Sequence, residues 1–278
     1  PLAQPYGKFV AEMFSVQRYP EVKLVSGKEI VRPYDVSSWT LPLMMGVTVE
    51  RATLPAELKP YAPPAPRLTT EGSAFALPPG SPENAKLVNA ALRSGGKVQI
   101  ARKAVEAGGK WWPAGTVFFD GAAAKAAAAK AEPGVRWTAV GGLPATTEKL
   151  SAPRVGLYKP WLASMDEGWT RFTLEQYGFE PKSLDNKTIR AGSLRDAFDA
   201  IVLPDVSKDV MATGKPKREE GEMRYFAEFP PEYAGGLEKE GAKALKDFVE
   251  AGGTLVAMGA SNEYLLEELN LPVRNSVG

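Results

Sequence analysis

RVGLYKPWLASMDEGWTRFTLEQYGFEPKSLDNKTIRAGSLRDAFDAIVLPD, residues 154–205, decides the fold of this chain. An apolar strand (154–160) leads through a loop into an amphipathic helix (166–177). A short strand and a helix follow, and a second apolar strand then ends at Asp205. Because alternation of strands with helices is typical of an open parallel α/β sheet, we predict that this stretch forms the centre of one.

Composition divides the rest of the chain into regions. Residues 54–66 are rich in proline and predict an extended linker, which ends an N-terminal segment (1–66). Residues 67–150 predict a smaller α/β unit that contains an alanine-rich helix. Residues 151–278 predict the main α/β domain, and a long polar insertion (208–236) precedes its last helix, strand and helix.

Glycine, proline and capping residues indicate where strands and helices begin and end inside these regions. The segment 97–121 predicts two strands joined by a Gly-Gly turn. The last helix is expected to be capped by Ser261 or Asn262. Near the start of the chain, apolar residues at helical spacing predict a short amphipathic helix within residues 1–20, and Pro42 is expected to break any long helix that follows.

The composition excludes several classes of chemistry. The 278 residues contain no cysteine and no histidine. The chain therefore has no thiol nucleophile, no disulfide and no thiolate or histidine metal site. Ser-His-Asp and Cys-His arrangements are excluded for the same reason. We predict no catalytic site and no metal site in this chain, and only carboxylates, lysine, tyrosine or serine remain as reactive groups.

Charge and hydropathy argue against nucleic-acid and membrane partners. The formal charge is +1, so no basic excess favours nucleic acid. The longest apolar runs have the length of strands, which is too short to span a bilayer. The chain opens at Pro1 with no signal peptide, as expected of a piece of a longer protein whose export signal lies elsewhere. The absence of cysteine fits an exported protein without disulfides and a cytosolic one equally.

The densest polar cluster, KPWLASMDEGWTR (159–171), lies where the first apolar strand leads into its helix. Open α/β folds bind ligands outside the carboxyl ends of their strands, and amides at the start of a helix can hold an anion. The second apolar strand ends in an acid at an equivalent place. The predicted ligand-binding residues are Lys159, Trp161, Ser164, Asp166, Glu167, Arg171 and Asp205.

The same residues also have purely structural interpretations. Ser164 can cap the helix, and Asp166 and Glu167 can complement its dipole. Asp205 can be an ordinary turn acid, because it follows a proline and precedes a serine by two positions.

The tryptophan pair and the Gly-Gly pairs also have structural interpretations. The adjacent Trp111 and Trp112 could form a platform for carbohydrate or peptide, although such pairs more often pack on one side into the core. The four Gly-Gly pairs are turns and helix ends, because no GxGxxG or GxxxxGK[ST] phosphate motif occurs.

Six stretches resemble, in order, the region that follows the catalytic domain in large bacterial zinc carboxypeptidases of the carboxypeptidase A-like class. They are PYDVSSWTLPLMMGV, KWWPAGTVFF, GLYKPWLASMDEGWTRFTLEQYGFEP, IRAGSLRDAFDAIVLPD, YAGGLEKEGAKALKDFVEAGGTLVAMGAS and LPVRN. The C-terminal half of such proteins is similar to class I glutamine amidotransferase-like domains. The resemblance thus implies a flavodoxin-like, amidotransferase-like three-layer α/β sandwich with a mainly parallel sheet, preceded by the smaller α/β unit.

The resemblance implies a parent protein that is a secreted or periplasmic zinc metallocarboxypeptidase, which removes C-terminal residues from peptides. The zinc is expected in a peptidase domain outside this chain, because the family's site needs a His-x-x-Glu pair and a later His. The amidotransferase cysteine and its partner histidine are also missing. The implied function is a non-catalytic accessory domain without a cofactor, whose partner is the parent's own peptidase domain.

Two alternatives stay open. The chain could be an independent small-molecule, peptide or carbohydrate-binding α/β module with its site at the C-terminal edge of the sheet, or a carboxylate-dependent hydrolase. An accessory domain should expose an apolar docking patch that includes part of residues 1–50, whereas a binding module should carry a deep pocket at that edge. We expect no stoichiometric zinc and no carboxypeptidase activity from the chain alone.

Overall fold

A computed structural model of the chain describes residues 2–16, 40–53, 59–63, 68, 72–216 and 235–275. The chain divides into two compact units, Pro1–Ala62 and Pro63–Gly278. The second unit contains all the strands described below. The predicted boundaries at residues 66 and 150 stay predictions.

The described residues of the N-terminal unit form two short helices, α1 (Gly7–Phe14) and α2 (Leu41–Met45). The helix predicted within residues 1–20 is confirmed, and the hydroxyl of Thr40 donates to the carbonyl of Ser15 at 3.0 Å. Pro42, expected to break any long helix, lies in the first turn of the five-residue helix α2, where its missing N–H leaves no hydrogen bond unmade.

A five-stranded antiparallel sheet with two helices forms the first half of the second unit. Its elements are β1 (Ala74–Leu77), α3 (Glu83–Arg93), β2 (Val98–Ile100), β3 (Val105–Ala107), β4 (Lys110–Trp112), β5 (Val117–Asp120), α4 (Gly121–Ala128), β6 (Thr138–Val140) and β7 (Glu148–Lys149). The order is β6-β1-β5-β2-β7, and β3 pairs with β4 as a separate hairpin. The segment 97–121 therefore forms four strands, not the predicted two. The chain bends at Arg102–Lys103, and Gly108 and Gly109, both with positive φ, close the hairpin.

The alanine-rich helix α4 packs closely in this half, as the sequence predicts. Ala123, Ala124 and Ala127 are fully buried in one cluster with Leu87 of α3. The small alanine side chains allow this close approach. The carboxylate of Asp120 caps α4, because it accepts a hydrogen bond from the backbone N–H of Ala123 at 2.7 Å.

A four-stranded parallel sheet with helices forms the second half, which confirms the parallel α/β prediction for this part of the chain. Its elements are β8 (Val155–Tyr158), α5 (Met165–Gln176), β9 (Lys182–Leu184), α6 (Asn186–Arg190), α7 (Leu194–Ala197), β10 (Ala200–Leu203), α8 (Lys208–Thr213), α9 (Glu238–Glu250), β11 (Thr254–Ala257) and α10 (Ser261–Glu268). The order is β11-β10-β8-β9, with every neighbouring pair parallel. The fold as a whole is mixed, because the other sheets are antiparallel.

The two faces of the parallel sheet have unequal cores. Side chains of α6 to α10 cover the face that carries Tyr158 and Ile201. On the other face, Leu157 and Val202 pack against Leu174 of α5. Neighbours along a strand point to opposite faces, so β8 supplies both cores.

One prediction near the end of this domain was wrong, and for another only the first residues are described. The last helix, α10, begins at Ser261, so neither Ser261 nor Asn262 lies before it as a cap; the Ser261 hydroxyl is buried and bonds elsewhere. The insertion predicted at residues 208–236 begins with helix α8, capped by Ser207. Residues 217–234 of that insertion lie outside the described residues.

Polar contacts join the two halves of the second unit. The side-chain amide of Asn89 on α3 donates to the carbonyl of Tyr177, just after α5, at 2.9 Å. Arg93 and Glu180 form an exposed ion pair at 3.1 Å beside it. Helix α3 of the antiparallel half therefore holds the end of α5.

Candidate functional site

The carboxyl edge of the parallel sheet contains a switch point between β8 and β10. The chain goes from β8 to β9 on one side, whereas β10 and β11 lie on the other. Such a reversal creates a crevice outside the carboxyl ends of the two strands, which is where open α/β folds bind ligands. Lys159 directly follows β8, and Asp205 follows β10 by two residues, so the topology places both at this edge.

Ser164 caps helix α5. Its backbone is extended, and its hydroxyl accepts a hydrogen bond from the N–H of Glu167 at 3.1 Å. Asp166 is exposed in the first turn, where a negative charge complements the helix dipole. The structural interpretations of Ser164 and Asp166 thus account for both residues without a ligand.

Glu167 and Arg171 bind each other and hold α5 against the edge strand β9. The buried carboxylate of Glu167 accepts from Nε and NH2 of Arg171 at 3.0 and 2.6 Å. The same guanidinium donates to the carbonyl of Pro181 at 3.2 Å and to the hydroxyl of Ser183 at 2.9 Å. Because a buried carboxylate needs such compensation, removing Arg171 would leave the carboxylate of Glu167 buried and unpaired. The pair is engaged inside the fold.

Asp205 connects the ends of two neighbouring strands. Its carboxylate accepts a hydrogen bond from the N–H of Ala260, in the loop after β11, at 2.8 Å. Gly259 has φ +53°, and a Cβ placed there would lie 2.0 Å from Oδ2 of Asp205. Ser261 reinforces the contact, because its buried hydroxyl donates to the carbonyl of Pro204. The sequence predicted Ser261 as a helix cap and missed this role, which depends on a carbonyl 57 residues earlier in the chain.

Lys159 and Trp161 also lie at this edge. Both side chains are exposed, while the backbone N–H of Lys159 extends the sheet by donating to the carbonyl of Leu184 at 2.9 Å. With Asp166 they present a cation, an aromatic ring and a carboxylate to solvent. Ligand binding by the seven predicted residues stays a prediction.

Two cavities lie near the parallel sheet, and none of the seven predicted residues lines either. One of about 540 Å³ borders the Gly259–Ala260 loop and α10, and Leu271 and Arg274 form part of its wall. The other, of about 390 Å³, lies between the α6–α7 turn and α9, where Arg195 and Lys243 face Glu240 and Asp247. Its charges are mixed, and Lys243 is paired with Asp247 at 2.6 Å.

A charged cluster that sequence reasoning missed lies at the amino ends of β8 and β10. The carboxylate of Asp199 accepts from the guanidinium of Arg154 at 2.9 and 3.1 Å, from its backbone N–H at 2.9 Å, and from Arg195 at 2.6 Å. These hydrogen bonds, those of Arg154 first, hold the pKa of the Asp199 carboxyl well below its usual range. A charged residue just before each apolar strand was the available signal.

The tryptophan pair divides between core and solvent. Trp112 is buried, and its indole N–H donates to the carbonyl of Ala107 at 3.0 Å. Trp111 is exposed on the same hairpin, as the alternation of a strand requires. Because only Trp111 faces solvent, the pair does not form a two-ring platform on which a carbohydrate or peptide could stack.

The described part of the chain contains no group of three or more aspartate and glutamate side chains that could hold a metal ion. Within those same residues, no helix is both long and apolar enough to cross a membrane. The predicted absence of metal and of catalytic activity stays a prediction.

Comparison with known proteins identifies no relative. No protein-family model, no curated protein and no solved structure matches the chain.

Proposed function

We propose that this chain is a non-catalytic accessory domain of a secreted or periplasmic zinc metallocarboxypeptidase, and that it docks on the peptidase domain of that parent through its N-terminal unit. The zinc and the peptide-cleaving residues belong to the peptidase domain. The resemblance in sequence motifs suggests the parent, and the surface of the N-terminal unit supports the docking.

The observation that carries this proposal is the apolar surface of helices α1 and α2. Leu43 and Met45 on α2 are 72% and 70% exposed, and Met44 and Phe9 are exposed as well. Clusters of large apolar side chains at a surface mark interaction sites. This surface lies in residues 1–50, where an accessory domain was expected to expose its docking patch.

The carboxyl edge of the sheet supports a non-catalytic function. Ser164 caps a helix, Glu167 and Arg171 bind each other, and Asp205 binds a loop. A general acid or base must reach its substrate's proton, and a carboxylate buried in a structural pair does not.

We further propose that the parallel half is a flavodoxin-like, amidotransferase-like three-layer sandwich. The strand order β9-β8-β10-β11 corresponds to the order 2-1-3-4 with which flavodoxin-like sheets begin, and this order supports the proposal. Helices also pack on both faces of the sheet.

The test has two parts, of which the first addresses activity. The purified chain is assayed with N-acylated dipeptides that carry a free C-terminus, with added zinc and with a chelator, and its metal content is measured. We expect no chelator-sensitive hydrolysis and less than about a tenth of an equivalent of zinc, since structural and catalytic zinc sites use histidine and cysteine ligands. Hydrolysis that a chelator abolishes would refute the non-catalytic assignment.

The second part addresses docking. The chain is titrated by calorimetry with the separately produced peptidase domain of the proposed parent. The double variant Leu43→Asp/Met45→Asp should weaken binding at least about tenfold, because two charges replace apolar contacts. Trp111→Asp, which changes an exposed residue of the second unit, should leave affinity unchanged. No binding of the wild-type chain at about 100 µM would contradict the proposal.

A second candidate, the small-molecule or carbohydrate-binding module, is favoured by the 540 Å³ cavity, whose size suits a small ligand. A thermal-shift screen against sugars, amino acids and short peptides tests it, because a ligand that binds the folded chain raises the unfolding midpoint. A shift that Glu263→Ala or Asn262→Ala abolishes would favour this function. A screen without shifts would argue against it.

A further inference from the structure

Helix α5 carries apolar side chains on two opposite faces. Leu174 packs inward on the sheet, beside the buried Glu167. Met165, Trp169 and Phe172 are spaced i, i+4 and i+7, which places them together on the side of the helix away from the sheet. We call these three residues the outer stripe. A helix that is apolar on both sides is normally buried on both sides.

The outer stripe is contiguous and open. Met165, Trp169 and Phe172 are 81%, 67% and 53% exposed. The rings of Trp169 and Phe172 meet edge to face, with centroids 6.0 Å apart and planes at 88°. Together the three side chains expose on the order of 400 Å² per chain, given 150–250 Å² for each large ring. A patch of this size is comparable to the largest apolar patch of a typical monomer, and such patches often serve a function.

We propose that the outer stripe is a self-association surface, on which α5 of a second copy of this chain packs about a two-fold axis. This inference goes beyond the proposed function, because it concerns a different unit of the chain and a different partner. An isologous pair matches the stripe to itself, and two-fold dimers are the commonest soluble oligomers. Trp169 lies in the middle of the stripe, so an antiparallel pair of helices brings it close to its symmetry mate.

The area of the stripe sets the strength of the dimer. Two stripes remove about 800 Å² from water, and the polar residues that flank them raise the total to roughly 1,200 Å², the low end for specific interfaces. Such small interfaces give weak complexes, so we expect a dissociation constant in the micromolar range. Interfaces usually have aromatic residues and methionine at their centre and polar residues at their rim, and the outer stripe with its flanking charges has this composition.

The acidic residues beside the outer stripe predict how the dimer depends on salt. Asp166 lies on one flank of α5 and Glu175 on the other, and both are exposed. A two-fold axis brings each acid to the same side as its own mate, so the rim of the dimer carries like charges. Arg171 lies 2.6 Å from Glu167 and 4.0 Å from Glu175 in its own chain, so it partly offsets the charge of Glu175, and the repulsion comes mainly from Asp166. Salt that screens this repulsion should therefore tighten the dimer.

The test is sedimentation velocity of the full chain over a range of concentrations. Wild-type chain should show a monomer–dimer equilibrium. Trp169→Asp and Phe172→Asp should each raise the dissociation constant at least about tenfold, because each places a charge in the centre of the interface. Both side chains point away from the core, and circular dichroism checks that the variants fold. Trp111→Asp is the matched control, because Trp111 is also 67% exposed but lies on the β3–β4 hairpin.

Several results would overturn the proposal. A wild-type chain that stays monomeric up to about 500 µM would do so, since a micromolar dimer is nearly complete at that concentration. So would a dimer that survives Trp169→Asp, or one that Trp111→Asp disrupts equally. A dimer that weakens with added salt would place the contact among opposite charges instead. Loss of the dimer in Leu43→Asp alone would assign it to the N-terminal unit, whereas retention there leaves the two proposals separable.

Discussion

The charged cluster at the amino ends of β8 and β10 should make the parallel half sensitive to acid. Asp199→Asn keeps the size of the side chain and one acceptor oxygen but removes the charge that faces Arg154 and Arg195. The side chain of Asp199 is 34% exposed, so solvent screens these pairs. We expect a loss of about 1 kcal/mol in the free energy of unfolding at pH 7, the upper end for exposed ion pairs, because two cations share one carboxylate.

The dependence on pH has a definite sign. The pKa of Asp199 is lowered in the folded chain, whereas an unfolded aspartate has a pKa of about 3.9. The carboxylate therefore stabilises the fold fully above that value, and the contribution is lost as the pH falls toward the lower, folded pKa. The difference between wild type and Asp199→Asn should be present at pH 7 and should shrink below about pH 4.

Urea unfolding followed by circular dichroism, at several pH values, measures this difference. The matched control is Asp196→Asn, a neighbouring exposed acid of α7 whose backbone carbonyl, not its carboxylate, accepts from Arg154. The control should change stability by less than about 0.5 kcal/mol, as surface substitutions usually do. A difference for Asp199→Asn that stays constant down to pH 2.5 would refute the assignment of the effect to its charge.

Three other substitutions test packing in the second unit. Tyr158→Phe should lower the free energy of unfolding by about 1–2 kcal/mol, because it removes a buried 2.8 Å hydrogen bond to Asn186. Burial also raises the pKa of Tyr158, so in urea titrations above about pH 10 the stability of the wild type should fall more than that of the variant. Gly259→Ala should lower the thermal midpoint, and a double-mutant cycle should show a smaller cost in an Asp205→Ala background, where the clash is gone and only the strain of the positive φ remains. Trp137→Phe should cost less than about 2 kcal/mol in urea unfolding, because removal of an indole N–H without a hydrogen-bond partner offsets part of the cost of the smaller ring; a loss above that value would contradict this reason.

The elements that the sequence predicts well are those whose signal is local. The apolar run 155–158 and the periodic segment 165–176 became β8 and α5 because strand and helix periods are written in neighbouring residues. Element ends with several possible partners were predicted poorly. Ser261 looked like a cap, but its hydroxyl has a better acceptor in the carbonyl of Pro204, which lies 57 residues earlier. The two strands predicted within residues 97–121 are each divided, one into β2 and β3 and the other into β4 and β5, because strands of three or four residues carry too little periodicity for their ends to be recognised.

The candidate site shows the same division between local and distant contacts. Residue types and spacing placed a polar cluster at the carboxyl edge of the sheet, and the strand order supplies a switch point there. The sequence does not reveal which polar groups are already used, because their partners come from other strands: Arg171 binds Ser183 of β9, and Asp205 binds the loop after β11. What remains open on α5 is mainly its outer stripe, an apolar surface. Burial of such a surface is favourable by roughly 25 cal/mol per Å², whereas an engaged carboxylate must first lose a partner before it binds anything. We therefore expect the parallel half to bind a partner through the outer stripe of α5 and not through the polar cluster at the carboxyl edge of the sheet. Trp169→Asp distinguishes the two, because it should abolish binding only if the stripe is the contact.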